Sequence, residues 1–332
     1  MIQEFKDCLK FSFPKSYSRY LEWQKERLPG KVARILASRE PPRYCDNDTI
    51  FEELQKEYPQ WWPDYRFDPY GVWSRGARRS VELMKIPELQ KEGLSVLDLG
   101  CGDGMTAYCL GAYGYQPVLI DIDDWRDHRA KNIPFIRGDV CKGVPIKSEQ
   151  FDLVVSFNTF EHLKDPREAL RELARVCKDG GHLYVDFDPL YCSPLGLHAY
   201  CFTFPYPQFL FSPKFLEEKV RKLGVYDLGR KNFSLQPTNQ WRFAQYKELW
   251  SGFGLEVVSM ENERDYRHLK IVEKFPEAFS GRQLAVDDLV ITRIAVLLRK
   301  THVEVNLSVD QGRPILESNA ELGREQDSLR DL

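Results

Sequence analysis

Apolar residues in the middle of this chain come in short runs, each closed by glycine, proline or an acid, and amphipathic stretches lie between them. Val96, Leu97 and Leu99 form the first run, which stops abruptly at Gly100, Gly102 and Gly104. Pro117–Ile120, Ile133–Ile136, Phe151–Phe157 and Gly181–Phe187 follow, all of strand length. The Phe151–Phe157 run is nearly continuous rather than alternating, as expected of a strand covered on both faces. A helix is predicted from about 104 to 111, behind the glycines. Asp165-Pro166-Arg167-Glu168 opens another, with a capping acid, Pro at N1 and Glu at N3. Its apolar stripe is Ala169, Leu170, Leu173, Ala174 and Cys177, and Gly180-Gly181 ends it. A helix at about 241–251 leads to a sixth strand at Leu255–Val258, and Asp288–Arg299 supplies a seventh. The pattern predicts an α/β fold, a doubly wound, mostly parallel seven-stranded sheet with helices on both faces.

The flanks read differently. Residues 1–75 form a helical, aromatic-rich preface, with an amphipathic helix at 16–28 stopped by Pro29-Gly30 and a second one capped by Asp48. The segment Trp61–Trp73 is too rich in proline to be one regular element, and a helix at 76–90 leads into the first strand. Residues 76–300 make the main domain. Within it, 188–240 is an insertion carrying Phe202, Phe204, Tyr206, Phe209 and Phe211, placed where doubly wound folds shape a ligand site; it suggests an apolar pocket or cover, the alternative being an extra packing layer with no ligand contact. A helix capped by Ser212 follows those rings, and residues 301–332 read as a flexible polar tail.

Chemistry enters at the glycines. A strand running into a Gly-rich turn and then a helix brings backbone close to a nucleotide-like ligand. A dinucleotide fingerprint needs a glycine at its sixth position, which here is Met105. Asp98 and Asp103 would also face a pyrophosphate, and like charges 4 Å apart repel by roughly 4 kcal/mol at an effective dielectric near 20. A ligand carrying an ammonium and a sulfonium would instead be attracted. Asp121, about 20 positions past the loop at a strand's end, is placed to accept from ribose hydroxyls.

Val-Leu-Asp-Leu-Gly-Cys-Gly-Asp-Gly, residues 96–104, closely resembles the first motif of the class I S-adenosylmethionine-dependent methyltransferases. Phe151 to Val185, with Glu161-His162 after the fourth strand, resembles the ubiquinone-biosynthesis-type, small-molecule branch. The resemblance implies S-adenosylmethionine as cofactor, held by Asp98, Gly100, Cys101, Gly102, Asp103, Gly104, Asp121, Ile122, Asp139, Val140 and Asn158. Asp121 would be the ribose-binding acid, and Asp139 and Val140 would meet the adenine. The Asn/Asp-Pro-Pro-Tyr tetrapeptide of amide and adenine N-methyltransferases is missing after strand four.

In-line methyl transfer requires alignment and exclusion of water, and an alcohol or phenol acceptor benefits from a nearby base. His162, His198 and Glu161 are the catalytic candidates. Tyr191, His198, Tyr70 and Trp73 are the acceptor-side candidates, with Tyr70, Trp73 and Arg75 as a lid. An aromatic cluster that merely packs the preface onto the domain is the competing reading for Tyr70 and Trp73. The expected activity is methylation, at oxygen, of a small or medium organic acceptor. An RNA acceptor, held by a basic strip of Arg19, Arg75, Arg78, Arg79 and Lys85, is an alternative, as is a non-catalytic cofactor-binding scaffold.

Bulk composition narrows this a little. At 332 residues, 42% hydrophobic and 29% charged, the chain is an ordinary soluble type, and its net charge of −3 gives no global attraction to nucleic acid or an anionic membrane. No apolar run approaches membrane-spanning length. Eight scattered cysteines without a CxxC pair fit reduced thiols in a cytoplasmic protein, and no Cys/His cluster marks a metal site. Oligomeric state has no signature.

Overall fold

In a computed structural model of the chain, the described residues are 27–58, 67–227 and 230–301. The central sheet follows from the apolar runs. β1 (Ser95–Leu99), β2 (Gln116–Asp121), β3 (Phe135–Arg137), β4 (Phe151–Phe157), β5 (Cys177–Phe187), β8 (Leu255–Arg264) and β9 (Ile291–Lys300) form seven strands in the order β3-β2-β1-β4-β5-β9-β8. The first five are mutually parallel, and β9 runs antiparallel to both β5 and β8. Between β5 and β8, β6 (Val225–Asp227) and β7 (Arg230–Asn232) form a separate hairpin.

Alternate residues of each strand serve opposite faces, as the period of two requires. Val96, Leu153 and Val155 pack with Leu83 and Leu110, whereas Leu97, Leu99 and Val154 pack with Leu170, Leu173 and Leu183. Winding reverses between β1 and β4, which opens a crevice beyond their carboxyl ends. Both the glycine loop and the segment after β4 empty into that crevice.

Several boundaries differ from the sequence expectation. The helix expected at 76–90 is α3, Pro69–Met84, because Asp68 accepts from the Tyr70 and Gly71 amides and Pro69 sits in its first turn. It therefore absorbs Tyr70 and Trp73. The described helix α1, residues 27–36, runs through Pro29-Gly30 rather than stopping there. Its buried Val32 and Leu36, one helical turn apart, tie it to the core and offset the poor propensities. Asn47, not Asp48, caps α2 (Asp48–Glu57). The helix behind the glycine loop is α4, Met105–Ala112. Helix α5 (Pro166–Val176) gives way to β5 at once, so Gly180-Gly181 lie inside β5 rather than at the helix end. Most of the 16–28 helix, the residues 59–66 and the tail from 302 lie outside the described residues.

The aromatic insertion is core. Phe51 of α2 packs edge-on against Phe202, Phe204 and Phe211, with ring centroids 5.4–5.6 Å apart. Phe202, Phe204, Tyr206 and Phe211 are essentially inaccessible. They cannot line an apolar acceptor pocket, because their faces are spent on each other and on Phe51. No helix among the described residues is long and apolar enough to cross a membrane.

Candidate active site

The glycine loop after β1 needs its glycines for different reasons. Gly100 has φ +65°, and a Cβ there would lie 2.1 Å from Thr159 Oγ1. Gly104 has φ +72°, and its Cβ would meet Ala130 at 2.9 Å. Gly102 (φ +51°) faces open space, with nothing within 4 Å of the position a Cβ would take. The backbone of the turn is thus packed at both ends and bare in the middle, where a ligand would approach.

Carboxylates surround that bare turn. Asp121 accepts from the Gly102 amide at 3.0 Å and from the Ile122 amide at 2.7 Å, so it shapes the loop while each oxygen keeps a second lone pair. Burial raises its pKa above the ordinary carboxylate value. Asp98 is 2% exposed, and its Oδ2 has no hydrogen-bond partner. Burial pushes it up to about 7, against the pull of Arg79 and with reinforcement from Asp103 and Asp121. Asp103 accepts from the Met105 amide at 3.0 Å and pairs with Arg75 of α3. Ile122 is 68% exposed beside Asp121. Asp139 caps a short turn at Val140, accepting from the Cys141 amide and pairing with Lys142, and Val140 itself is buried. Cys101 is buried, and burial raises its thiol far from reactivity.

A second network lies past β4. Asn158, at φ +50°, accepts from Arg79 Nη2 at 2.6 Å and donates to both the main-chain carbonyl and the carboxylate of Asp188, each at 2.8 Å. Arg79 also stacks on Phe157, 4.7 Å from the ring centroid. A cavity of about 650 Å³ opens here. Its walls include Tyr70 and Asn158, and four arginines (75, 78, 79, 293) face the four carboxylates of Glu82, Asp186, Asp188 and Glu263. Trp73 is exposed beside Tyr70, 6.3 Å between centroids, but does not line this cavity, nor does Tyr191. Tyr191 packs on Phe209, and burial pushes its phenol up to about 12.

Glu161, His162 and His198 come together as a third group, outside that cavity's lining. The two imidazoles meet edge to face, 4.8 Å between centroids. His162 Nδ1 lies 2.8 Å from the Pro237 carbonyl, and His198 Nε2 lies 3.0 Å from that of Pro189. Burial, and then the neighbouring His162, press His198 down to about 3, so its ring is neutral. Glu161 is buried, and burial raises its pKa well above the ordinary value.

Arg75 and Arg79 do not form the exposed basic strip considered above. Both turn inward to side-chain partners, and charge in the cavity wall is balanced. Arg19 lies outside the described residues. Asp188, Asp186 and Arg293 were not singled out from the sequence. Asp188 carried one signal, its place at the end of the fifth strand beside the crevice.

Comparison with known proteins agrees with this geometry. Residues 97–185 match the family model described as a methyltransferase domain. The chain is 27% identical over 143 residues to a ubiquinone biosynthesis O-methyltransferase of Caulobacter vibrioides, covering 38% of this chain and 57% of that one. It is 30% identical over 142 residues to a demethylmenaquinone methyltransferase of Corynebacterium efficiens, covering 42% and 58%. Among solved structures, the PH0226 protein of Pyrococcus horikoshii aligns over 72% of this chain and 96% of its own at 17% identity, with a TM-score of 0.44. The chain spans little more than half the length of these two sequence relatives.

Proposed function

The chain belongs to the class I S-adenosylmethionine-dependent methyltransferases, and from that premise we propose that it methylates a hydroxyl oxygen of a small or medium-sized organic acceptor. The observation that carries the reading is the bare turn at Gly102 ringed by Asp98, Asp103 and Asp121. Such a cradle rejects phosphate and attracts a cationic ligand. S-adenosylmethionine, when bound, supplies an electrophilic methyl group on a sulfonium. Asp121 keeps lone pairs for ribose hydroxyls, Asp103 offers a carboxylate to an ammonium, and exposed Ile122 offers an apolar surface for adenine. Asp139 and Val140 are assigned to the adenine and Asn158 to the cofactor site by resemblance to that family.

Oxygen as the accepting atom is supported by the relative named as an O-methyltransferase. A small molecule is supported by the bounded, charge-balanced cavity beside Asn158. We assign its wall to acceptor binding, with Tyr70 at the rim. A cytoplasmic setting is proposed from the seven described cysteines, all free thiols.

Isothermal titration with S-adenosylmethionine tests the cofactor. Wild type should bind one equivalent, and Asp121→Ala should bind at least tenfold more weakly; no binding by wild type, or equal binding by the variant, overturns the assignment. Incubation with methyl-labelled cofactor and whole-cell extracts, followed by mass identification, tests the acceptor. Label recovered on a hydroxyl oxygen is expected, and label confined to RNA or protein would refute it.

A further inference from the structure

Four carboxylates line the cavity beside Asn158, and they are not equivalent. Asp186 is tied twice by the Arg293 guanidinium, at 2.7 and 2.6 Å, and Glu263 accepts from the same side chain at 2.8 Å. A guanidinium so close holds both acids in the charged form and makes them weak proton acceptors. Glu82, on α3, has no side-chain hydrogen bond among the described residues to fix its position. Asp188 differs from all three. Its Oδ1 and its main-chain carbonyl both accept from Asn158 Nδ2, each at 2.8 Å. Its Oδ2 has no hydrogen-bond partner among the described residues, and the residue is exposed on the cavity wall.

The support beneath Asp188 is directional. An arginine only donates, so Arg79 Nη2, 2.6 Å from Asn158 Oδ1, decides which end of that amide faces which neighbour. The amide nitrogen must then face Asp188. Arg79 is itself stacked on Phe157, and the Asn158 main-chain amide donates to the Asp186 carbonyl at 2.8 Å, which keeps Asn158 beside β5. The same cavity reaches the glycine loop, because Arg75 in its wall pairs with Asp103. Asp188 thus shares one concave space with the acidic cradle, at the carboxyl end of the strand next but one to β1.

Its surroundings favour a carboxylate that can take a proton. Burial raises its pKa above the ordinary value, with Asp186 of β5 and Glu263 of β8 adding to the rise. The Asn158 hydrogen bond and Arg293 of β9 oppose it. Glu161, past β4, is a further acid within electrostatic reach, and α3 presents Arg75, Arg78, Arg79 and Glu82 across the cavity.

We propose that Asp188 is the general base of the methyl transfer, accepting the proton of an acceptor hydroxyl at Oδ2. The assignment rests on the proposed function and deepens it. As the acceptor oxygen bonds to the methyl carbon, the carbon–sulfur bond breaks and its electron pair stays on sulfur. The O–H pair stays on the acceptor oxygen, and the proton passes to Asp188 and then to water. A base of this kind serves an alcohol or phenol, which keeps its proton near neutral pH, and not a carboxylate. The product is therefore an ether.

Full-length protein, methyl-labelled S-adenosylmethionine and whole-cell extract test the base. Asp188→Asn keeps an oxygen for Asn158 but cannot take the proton, so label transfer should slow at least a hundredfold while cofactor affinity by calorimetry stays at the wild-type value. Asp188→Glu should restore part of the rate. The wild-type rate should rise with pH until Asp188 is ionised, and the residual rate of Asp188→Asn should lack that rise. Label should survive mild alkali, as an ether does and an ester does not. Carbon-13 carboxyl resonances of labelled aspartate give a readout without turnover: the one missing from Asp188→Asn, or from Asp188→Ser if the first fails to fold, should titrate above the free value near 4. Asp188→Asn transferring label as fast as wild type, alkali-labile label, cofactor affinity lost along with the rate, or a titration at or below 4 would each overturn the assignment. Wild type that binds the cofactor yet labels nothing would overturn the methylation reading on which it rests.

Discussion

Arg75 on α3 donates to the carboxylate of Asp103 in the glycine loop, a pair that is largely buried on both sides and joins residues 28 positions apart. It fastens the helix preceding β1 to the turn following it. Removing one partner strands the other in a half-buried site, which costs more than the pair contributes. Arg75→Met should lower stability by about 1–3 kcal/mol in urea unfolding, and Asp103→Asn by a similar amount. The double variant should lose less than the sum, and strict additivity would show that the two residues are not coupled.

Gly100 and Gly102 should separate folding from binding. Gly100→Ala puts a methyl group into Thr159 at positive φ, so a loss of more than about 2 kcal/mol is expected. Gly102→Ala has the strained φ but no clash, costing about 1–2 kcal/mol. Its methyl group occupies the bare turn, so cofactor affinity should fall at least tenfold while the far-ultraviolet dichroism stays unchanged. Undiminished affinity in Gly102→Ala would place the ligand elsewhere.

Asp98 gives a pH dependence with a definite sign. Its folded pKa, raised to about 7 by burial, exceeds the unfolded value near 4. Between those values the native state holds the extra proton, so this residue's contribution to stability is fullest below about pH 4. That contribution falls as pH rises and levels off above about 7, changing by at most about 4 kcal/mol. Asp98→Asn should flatten the wild-type slope between pH 5 and 7 in denaturant titrations of the cofactor-free protein. A parallel slope in both proteins would refute burial as the cause.

Phe51 links the preface to the insertion through rings that are otherwise inaccessible. Phe51→Ala leaves a cavity at that junction and should cost about 3–5 kcal/mol by thermal or urea unfolding. S-adenosylmethionine affinity should hold at temperatures where the variant is folded, because no ring of this cluster lies at the glycine loop.

The central sheet was legible because local chemistry specifies it. Val96–Leu99 and Phe151–Phe157 are apolar at the positions that a doubly covered strand buries, Asp98 and Ser156 apart, and Asp165-Pro166 starts α5 where capping geometry says it must. The start of α3 was missed because Asp68-Pro69 sits inside an aromatic, proline-rich stretch whose composition hides the cap. The phenylalanines of the insertion suit a pocket and a packing layer equally in the sequence, because apolar residues near a crevice read alike whether they line it or fill a core. Only their mutual packing with Phe51 separates the two cases.

Sequence by itself determined the fold class, the glycine turn and the acids at 98, 103 and 121, because strand period, turn stereochemistry and spacing are properties of neighbouring residues. Tertiary structure decided which distant groups meet. It turned Arg75 and Arg79 from a surface strip into partners of Asp103 and Asn158. It also brought His198, 36 positions downstream of His162, against the buried Glu161 carboxylate. Such meetings depend on where a crossover and an insertion return to the sheet, and no local rule in the chain encodes that return.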